Sequence, residues 1–180
     1  MELHSKALGL VAAAAALVVS GVMAPREAAA QVRVNGLAGM QHLGVNGPQT
    51  TGGTTGTLRV EGALSLFPWI EAGAYGEVLS DFSGGSSGTD FGGIVAVRPH
   101  IPTSSVDPLV FASVGYLKYP IGNSALTGGW EGQLGAGLTF HVNPWVDVEG
   151  RVALVEMLSQ DSSVLDTHGF AASAGISLHP

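Results

Sequence analysis

Five histidines lie beyond residue 30 of this 180-residue chain: His42, His100, His141, His168 and His179. With the 14 acidic side chains they are the groups that could move protons or hold a cation. Nucleophilic catalysis needs a Ser, Thr or Cys beside such a base. The chain has no cysteine. His141 comes within reach of Asp147 but has no serine at its side, so it reads as a structural, hydrogen-bonding histidine. His42 and His168 fall near the ends of the first and last apolar segments and read as interfacial polar residues. No His-Glu-x-x-His spacing supports a metal site. The clusters GGTTG and SGGSSG have no following helix to cradle a phosphate and read as mobile loops. Seven basic residues at a net charge of -7 leave no electrostatic footprint for nucleic acid. Neither a catalytic residue, a metal nor a cofactor is therefore expected.

The elements that carry these groups are unusually poor in charge. Charged residues make up 12% of the chain and hydrophobic ones 46%, where a soluble domain has about 25% charged residues. A mean hydropathy of +0.34 points towards lipid. Residues 8 to 24, LGLVAAAAALVVSGVMA, form an apolar run behind Lys6, and Ala28-Ala29-Ala30 supplies the small-residue pattern of a cleavage site. Cleavage is expected after Ala30, because a cut after Ala24 would leave the constrained ring of Pro25 next to the scissile bond. Residues 1-30 thus read as a signal peptide and 31-180 as one domain. Losing two basic and two acidic residues leaves the net charge at -7. No remaining run approaches the roughly 18 apolar residues of a membrane helix.

Strands reconcile these facts, since successive side chains of a strand point to opposite faces. Across 130 to 142, Trp130, Leu134, Ala136, Leu138, Phe140 and Val142 share one parity, and Glu131, Gln133, Thr139 and His141 share the other. Across 145 to 154, Val146, Val148, Val152 and Leu154 oppose Asp147, Glu149 and Arg151. The segments 58 to 66 and 70 to 78 split in the same way, with Arg59, Glu61, Glu71, Tyr75 and Glu77 on the polar side. Residues 32 to 42 and 168 to 178 follow more weakly. Segments 91 to 98 and 109 to 119 are strands by content but show no clear facing. Eight strands result.

Long polar connections at 45 to 56, 82 to 90, 120 to 128 and 158 to 167 alternate with the tight turns Phe67-Pro68-Trp69 and Asn143-Pro144-Trp145. Pro99 to Pro108 is the one short-side connection longer than the pattern asks for. An even number of antiparallel strands with short turns at one end and long loops at the other is the layout of an outer-membrane barrel. Closure also satisfies every backbone group in lipid. Pro68-Trp69-Ile70-Glu71 recurs as Pro144-Trp145-Val146-Asp147, and Trp69, Trp145, Trp130 and Phe140 read as interfacial aromatics.

In these features, notably the LSLFPWIEAGAYGE and LTFHVNPWVDVEGRV hairpins and the final FAASAGISLHP strand, the chain resembles the small OmpA-like outer-membrane β-barrels, which include OmpX/Ail-like adhesion and resistance proteins. The resemblance covers residues 31 to 180. It implies an all-β, eight-stranded, antiparallel up-and-down transmembrane barrel in the cell outer membrane, behind a cleavable signal peptide. It implies a non-enzymatic structural or surface-interaction role carried by four extracellular loops. The partners would be outer-membrane lipid and lipopolysaccharide, the barrel-assembly machinery during biogenesis, and a surface ligand at the loops. The family commonly finishes on an aromatic residue, whereas this chain finishes Leu178-His179-Pro180.

An eight-stranded barrel is just wide enough for its own side chains, so the polar face should form an internal ion-pair network of Arg59, Glu61, Glu71, Glu77, Glu131, Glu149 and Arg151. A three-residue turn at 67 to 69 sets Arg59 opposite Glu77 and Glu61 opposite Tyr75. In the other hairpin Gly135 or Gly137 faces Arg151 and leaves room for the guanidinium. Two other readings use the same strands. A narrow pore would leave the polar face unfilled, and a soluble ligand-binding barrel, periplasmic or secreted, would turn its apolar face inward.

Overall fold

A computed structural model describes residues 32–45, 53–81, 87–101, 103–120, 126–159 and 167–179. The signal-peptide reading of 1–30 and much of the four long connections lie outside the described residues. The described chain forms eight strands: β1 (Val32–Val45), β2 (Gly53–Phe67), β3 (Ile70–Asp81), β4 (Ser87–Val97), β5 (Val106–Pro120), β6 (Leu126–Asn143), β7 (Val146–Ser159) and β8 (Thr167–Leu178). Each pairs antiparallel with the next, and β1 pairs with β8 to close the barrel.

The strands outrun the polar boundaries drawn from sequence. Gly53-Thr54-Thr55-Gly56 belongs to β2 and pairs with β1, and from Thr55 on also with β3, which corrects the reading of GGTTG as loop. Ser87 to Asp90 likewise pairs with β3. Neighbouring strands supply ladder partners there, and these outweigh the low strand propensity of glycine and serine.

Odd-numbered residues face inward in every strand except β4, where the even ones do: Asp90, Ile94, Ala96 and Arg98 are buried. In β5, Asp107, Leu109, Phe111, Ser113 and Leu117 are buried. The facing of these two strands was illegible because both of their faces carry apolar residues. Their inward members join Tyr75 and Ala153 in a buried apolar cluster, so the interior is not uniformly polar.

The outer face is apolar apart from Lys118, Glu156 and His168, which are exposed on it towards the loop end. Leu58, Leu64, Val95, Val110, Leu134, Leu138, Val152, Leu154 and Ile176 are all exposed. A soluble ligand-binding barrel requires the reverse arrangement. Aromatic side chains mark both margins of this face. Phe67, Trp69, Phe140 and Trp145 stand exposed at the turn end. Phe91, Tyr116 and Trp130 follow one another at the loop end, tilted and then edge to face, with centroids 6.5 and 5.7 Å apart. From Phe140 to Trp130 is about ten residues of β6; at about 3.3 Å each and a tilt near 40° they span about 25 Å, the height of a lipid-facing band.

The two Pro-Trp turns are built alike. Phe67 pairs with Ile70 and Asn143 with Val146, and a bulge at Leu66 or Val142 shifts the register by one before Ser65–Glu71 and His141–Asp147 pair. That offset sets Arg59 opposite Glu77, Glu61 opposite Tyr75, and Gly137, not Gly135, opposite Arg151. The Asn143 side-chain oxygen accepts the Trp145 N–H at 2.8 Å, an Asx turn that fixes the second corner. The long turn-end connection also shortens, since Pro108 is already in β5 opposite Leu138. Arg98 N–H donates to the Trp69 carbonyl at 2.8 Å and His141 N–H to the Ser105 carbonyl at 2.9 Å, which tie its two ends to the neighbouring turns. Ser104 N–H donates to the Ile101 carbonyl at 3.0 Å, and Thr103 in that turn has φ 77°, a left-handed conformation for a β-branched residue.

Candidate functional site: the charged lumen

The inward parity brings four arginines, Arg33, Arg59, Arg98 and Arg151, into one interior. A buried guanidinium is tolerable only where carboxylates meet it in good geometry. Arg151 projects from β7 opposite Gly137, where an added Cβ would overlap the Gly150 carbonyl oxygen and come 3.2 Å from Arg151 Cγ. Its two terminal nitrogens donate to the two oxygens of Glu61, each at 2.7 Å, in the bidentate fork that suits a guanidinium to a carboxylate. Its Nε pairs with Glu149. The second oxygen of Glu149 accepts from Arg98 at 2.8 Å, so one carboxylate joins two arginines.

Arg59 lies over the Tyr75 ring at 3.6 Å from its centroid, pairs through Nε with Glu61 at 2.8 Å and donates to Gln133 Oε1 at 2.9 Å. Its register partner Glu77 stands farther off, at 3.5 Å. Glu131 departs from the expected ion-pair network. Among the described residues it makes no ion pair; Gln133 Nε2 donates to it at 2.6 Å and Gln41 Nε2 at 3.1 Å. Because Gln133 faces Arg59 with its oxygen and Glu131 with its amide, it relays between a cation and an anion that do not touch. Asp90 takes the Tyr75 hydroxyl at 2.7 Å over Gly115, where any Cβ would overlap both partners.

At the turn end the two Pro-Trp motifs converge. Each places an acid two residues after its tryptophan, and both acids meet Arg33: Nε pairs with Glu71 at 3.0 Å, and a terminal nitrogen with Asp147 at 2.9 Å. Arg98 also reaches Glu71, at 3.5 Å. Arg33 and Arg98 were missed from sequence, the first because β1 alternates weakly and the second because β4 reverses parity. Gln133 was visible on the charged face of β6, but its acceptor role depends on β2.

His141 lies at this end between Asp147 and Asp107, with 2.9 Å from Nδ1 to the first and from Nε2 to the second. His42, on the outer face, bonds Thr54 Oγ1 at 2.8 Å and stacks on Phe170 at 5.5 Å. His168 is opposite Gly44 and His42 opposite Phe170, so the two histidines are offset along the β1–β8 seam.

A pocket of ≈ 450 Å³ lies towards the loop end, against Ser113, Gln133, Val155, Glu156 and His168. A cavity of ≈ 20 Å³ lies among Leu37, Arg59, Glu77, Phe111, Gln133 and Arg151, room for about one water.

An eight-stranded antiparallel barrel that is apolar outside and charged inside has the fold of the small outer-membrane β-barrels. Among solved structures it is similar to Neisserial surface protein A, with a TM-score of 0.66 and 14% identity over 82% of this chain and 96% of that one. It is also similar to the N-terminal β-barrel domain of Pseudomonas aeruginosa OprF, with a TM-score of 0.58 and 13% identity over 84% of this chain and 98% of that one. No protein-family profile and no curated protein sequence matches the chain.

Proposed function

We propose that this chain is an exported outer-membrane barrel, closed along its axis by its own side chains, which acts through its loop end as a structural or surface-interaction protein and not as a conduit or an enzyme. The observation that carries this reading is the mutual engagement of Arg59, Arg151, Glu61 and Glu149 across the lumen. An ion path needs a continuous wet lumen, and a plugged one spends its charges on each other. The non-enzymatic reading is supported at His141, whose ring nitrogens bond two carboxylates and no nucleophile.

The turn end then faces the periplasm and the four long connections face outward. The lipid between the aromatic belts, lipopolysaccharide on the outer side and the assembly machinery during biogenesis are its partners. A surface ligand would be met by loops on a rigid frame. One of the similar folds is itself named a surface protein. The test is fractionation of the native envelope with protease added outside. The reading expects an outer-membrane protein whose amino terminus is Gln31, cut within 46 to 52 and 160 to 166. Recovery in the soluble fraction would overturn it. Stable, reproducible conductance steps in planar bilayers would overturn the closed lumen.

A further inference from the structure

The connection between β4 and β5 crosses the turn end and brings His100 to a place the strand pattern does not explain. His100 Nδ1 and His141 Nε2 both lie 2.9 Å from the same oxygen, Asp107 Oδ2. The three atoms lie within 4.8 Å of one another. The two imidazoles approach edge to face, with centroids 6.0 Å apart and planes at 71°, so they reach that oxygen from different directions. We propose that His100, Asp107 and His141 form a binding site for a divalent cation of the zinc class at the turn-end mouth of the barrel.

The chemistry of the donors supports a cation there. Two imidazole nitrogens and one carboxylate oxygen are the donor set of open zinc sites, which keep a further position for water. Tetrahedral bonds of about 2.1 Å hold ligand atoms about 3.4 Å apart, so the 2.9 Å contacts need to open by only about half an ångström. Without metal, the two contacts at Asp107 Oδ2 require a proton on each imidazole nitrogen; a divalent cation replaces both.

The surroundings also hold the donors in place. His141 Nδ1 bonds Asp147 Oδ1 at 2.9 Å, the carboxylate–histidine arrangement that fixes a ligand's tautomer and leaves Nε2 free for metal. Asp107 keeps its other oxygen on the Ile101 N–H at 2.9 Å and presents a single oxygen to the site. Two donors lie on the paired ends of β5 and β6, while His100 is 64% exposed and can swing to admit the ion. The cation would staple the β4–β5 connection across the mouth, which gives that connection's extra length a purpose.

The experiment uses the exported chain refolded in detergent, stripped with chelator and titrated with Co²⁺ and then Zn²⁺. The expected result is one equivalent of Co²⁺ with the visible absorption of a four- or five-coordinate ion, displaced by Zn²⁺, and a rise in the urea midpoint with Zn²⁺. His100→Ala and Asp107→Asn should each weaken binding at least about tenfold. The exposed position of His100 predicts that His100→Ala still folds, read from the gel shift of unboiled protein. The double variant His42→Ala/His168→Ala should bind as the parent does. Binding that survives both His100→Ala and Asp107→Asn, binding that is lost with His42 and His168, or no saturable uptake at all would overturn the site.

Discussion

Replacing Arg151 by methionine keeps much of the side-chain volume and removes the charge at the centre of the lumen. Three charge-assisted bonds disappear, two to Glu61 at 2.7 Å and one to Glu149. Removing one partner of a buried ion pair costs about 3–5 kcal/mol, chiefly because the other charge stays behind without water. The surviving contacts reduce this. Glu61 keeps Arg59 at 2.8 Å and the Asn35 amide at 2.8 Å, and Glu149 keeps Arg98 at 2.8 Å. The expected loss is therefore near the lower end, about 3 kcal/mol. Tryptophan fluorescence during urea titration in lipid vesicles reads it directly, and the temperature at which the compact gel band is lost should fall in parallel. A change below about 0.5 kcal/mol, the range of surface substitutions, would refute the claim that these charges depend on each other.

Other substitutions test separate parts of the structure. Leu134→Arg, on the outer face midway between the aromatic belts, should cost about 2–4 kcal/mol in vesicles, while Val142→Arg at the turn-end margin should cost about 0–1; equal effects in urea unfolding would show that no hydrocarbon band lies there. Gly115→Val would drive a side chain into the Tyr75–Asp90 pair, and should abolish the compact gel band, whereas Gly36→Val, where an added Cβ meets nothing within 4 Å, should leave it intact. Thr103→Gly removes the penalty of a left-handed β-branched residue, about 1–2 kcal/mol, against a loss of about 0.4–1 through the freer unfolded chain. The urea midpoint should rise slightly, and a fall would show that the turn is not strained.

The strand period and the tight Pro-Trp turns were enough to define the barrel, because most of its strands alternate and turn length fixes hairpin register. Arg59 opposite Glu77 was legible for that reason: both lie on one hairpin, and only the turn between them had to be counted. The same logic failed at β4 and β5, where apolar residues fill both faces and parity carries no signal, and so Arg98 was overlooked. Glu131 was legible as an inward acid, but its partners were not, since Gln41 arrives from β1 and Arg59 is deflected onto Tyr75. The two Pro-Trp motifs were visible as a repeat, yet their shared use of Arg33 required the closure of β1 against β8. In the strands that alternate, sequence by itself determined which face is outward and which meets the interior, because that choice is local and periodic. Only the tertiary structure decided which charges pair across the lumen and brought His100, Asp107 and His141 to one point, because those meetings depend on closure and stagger, which no spacing along a single strand encodes.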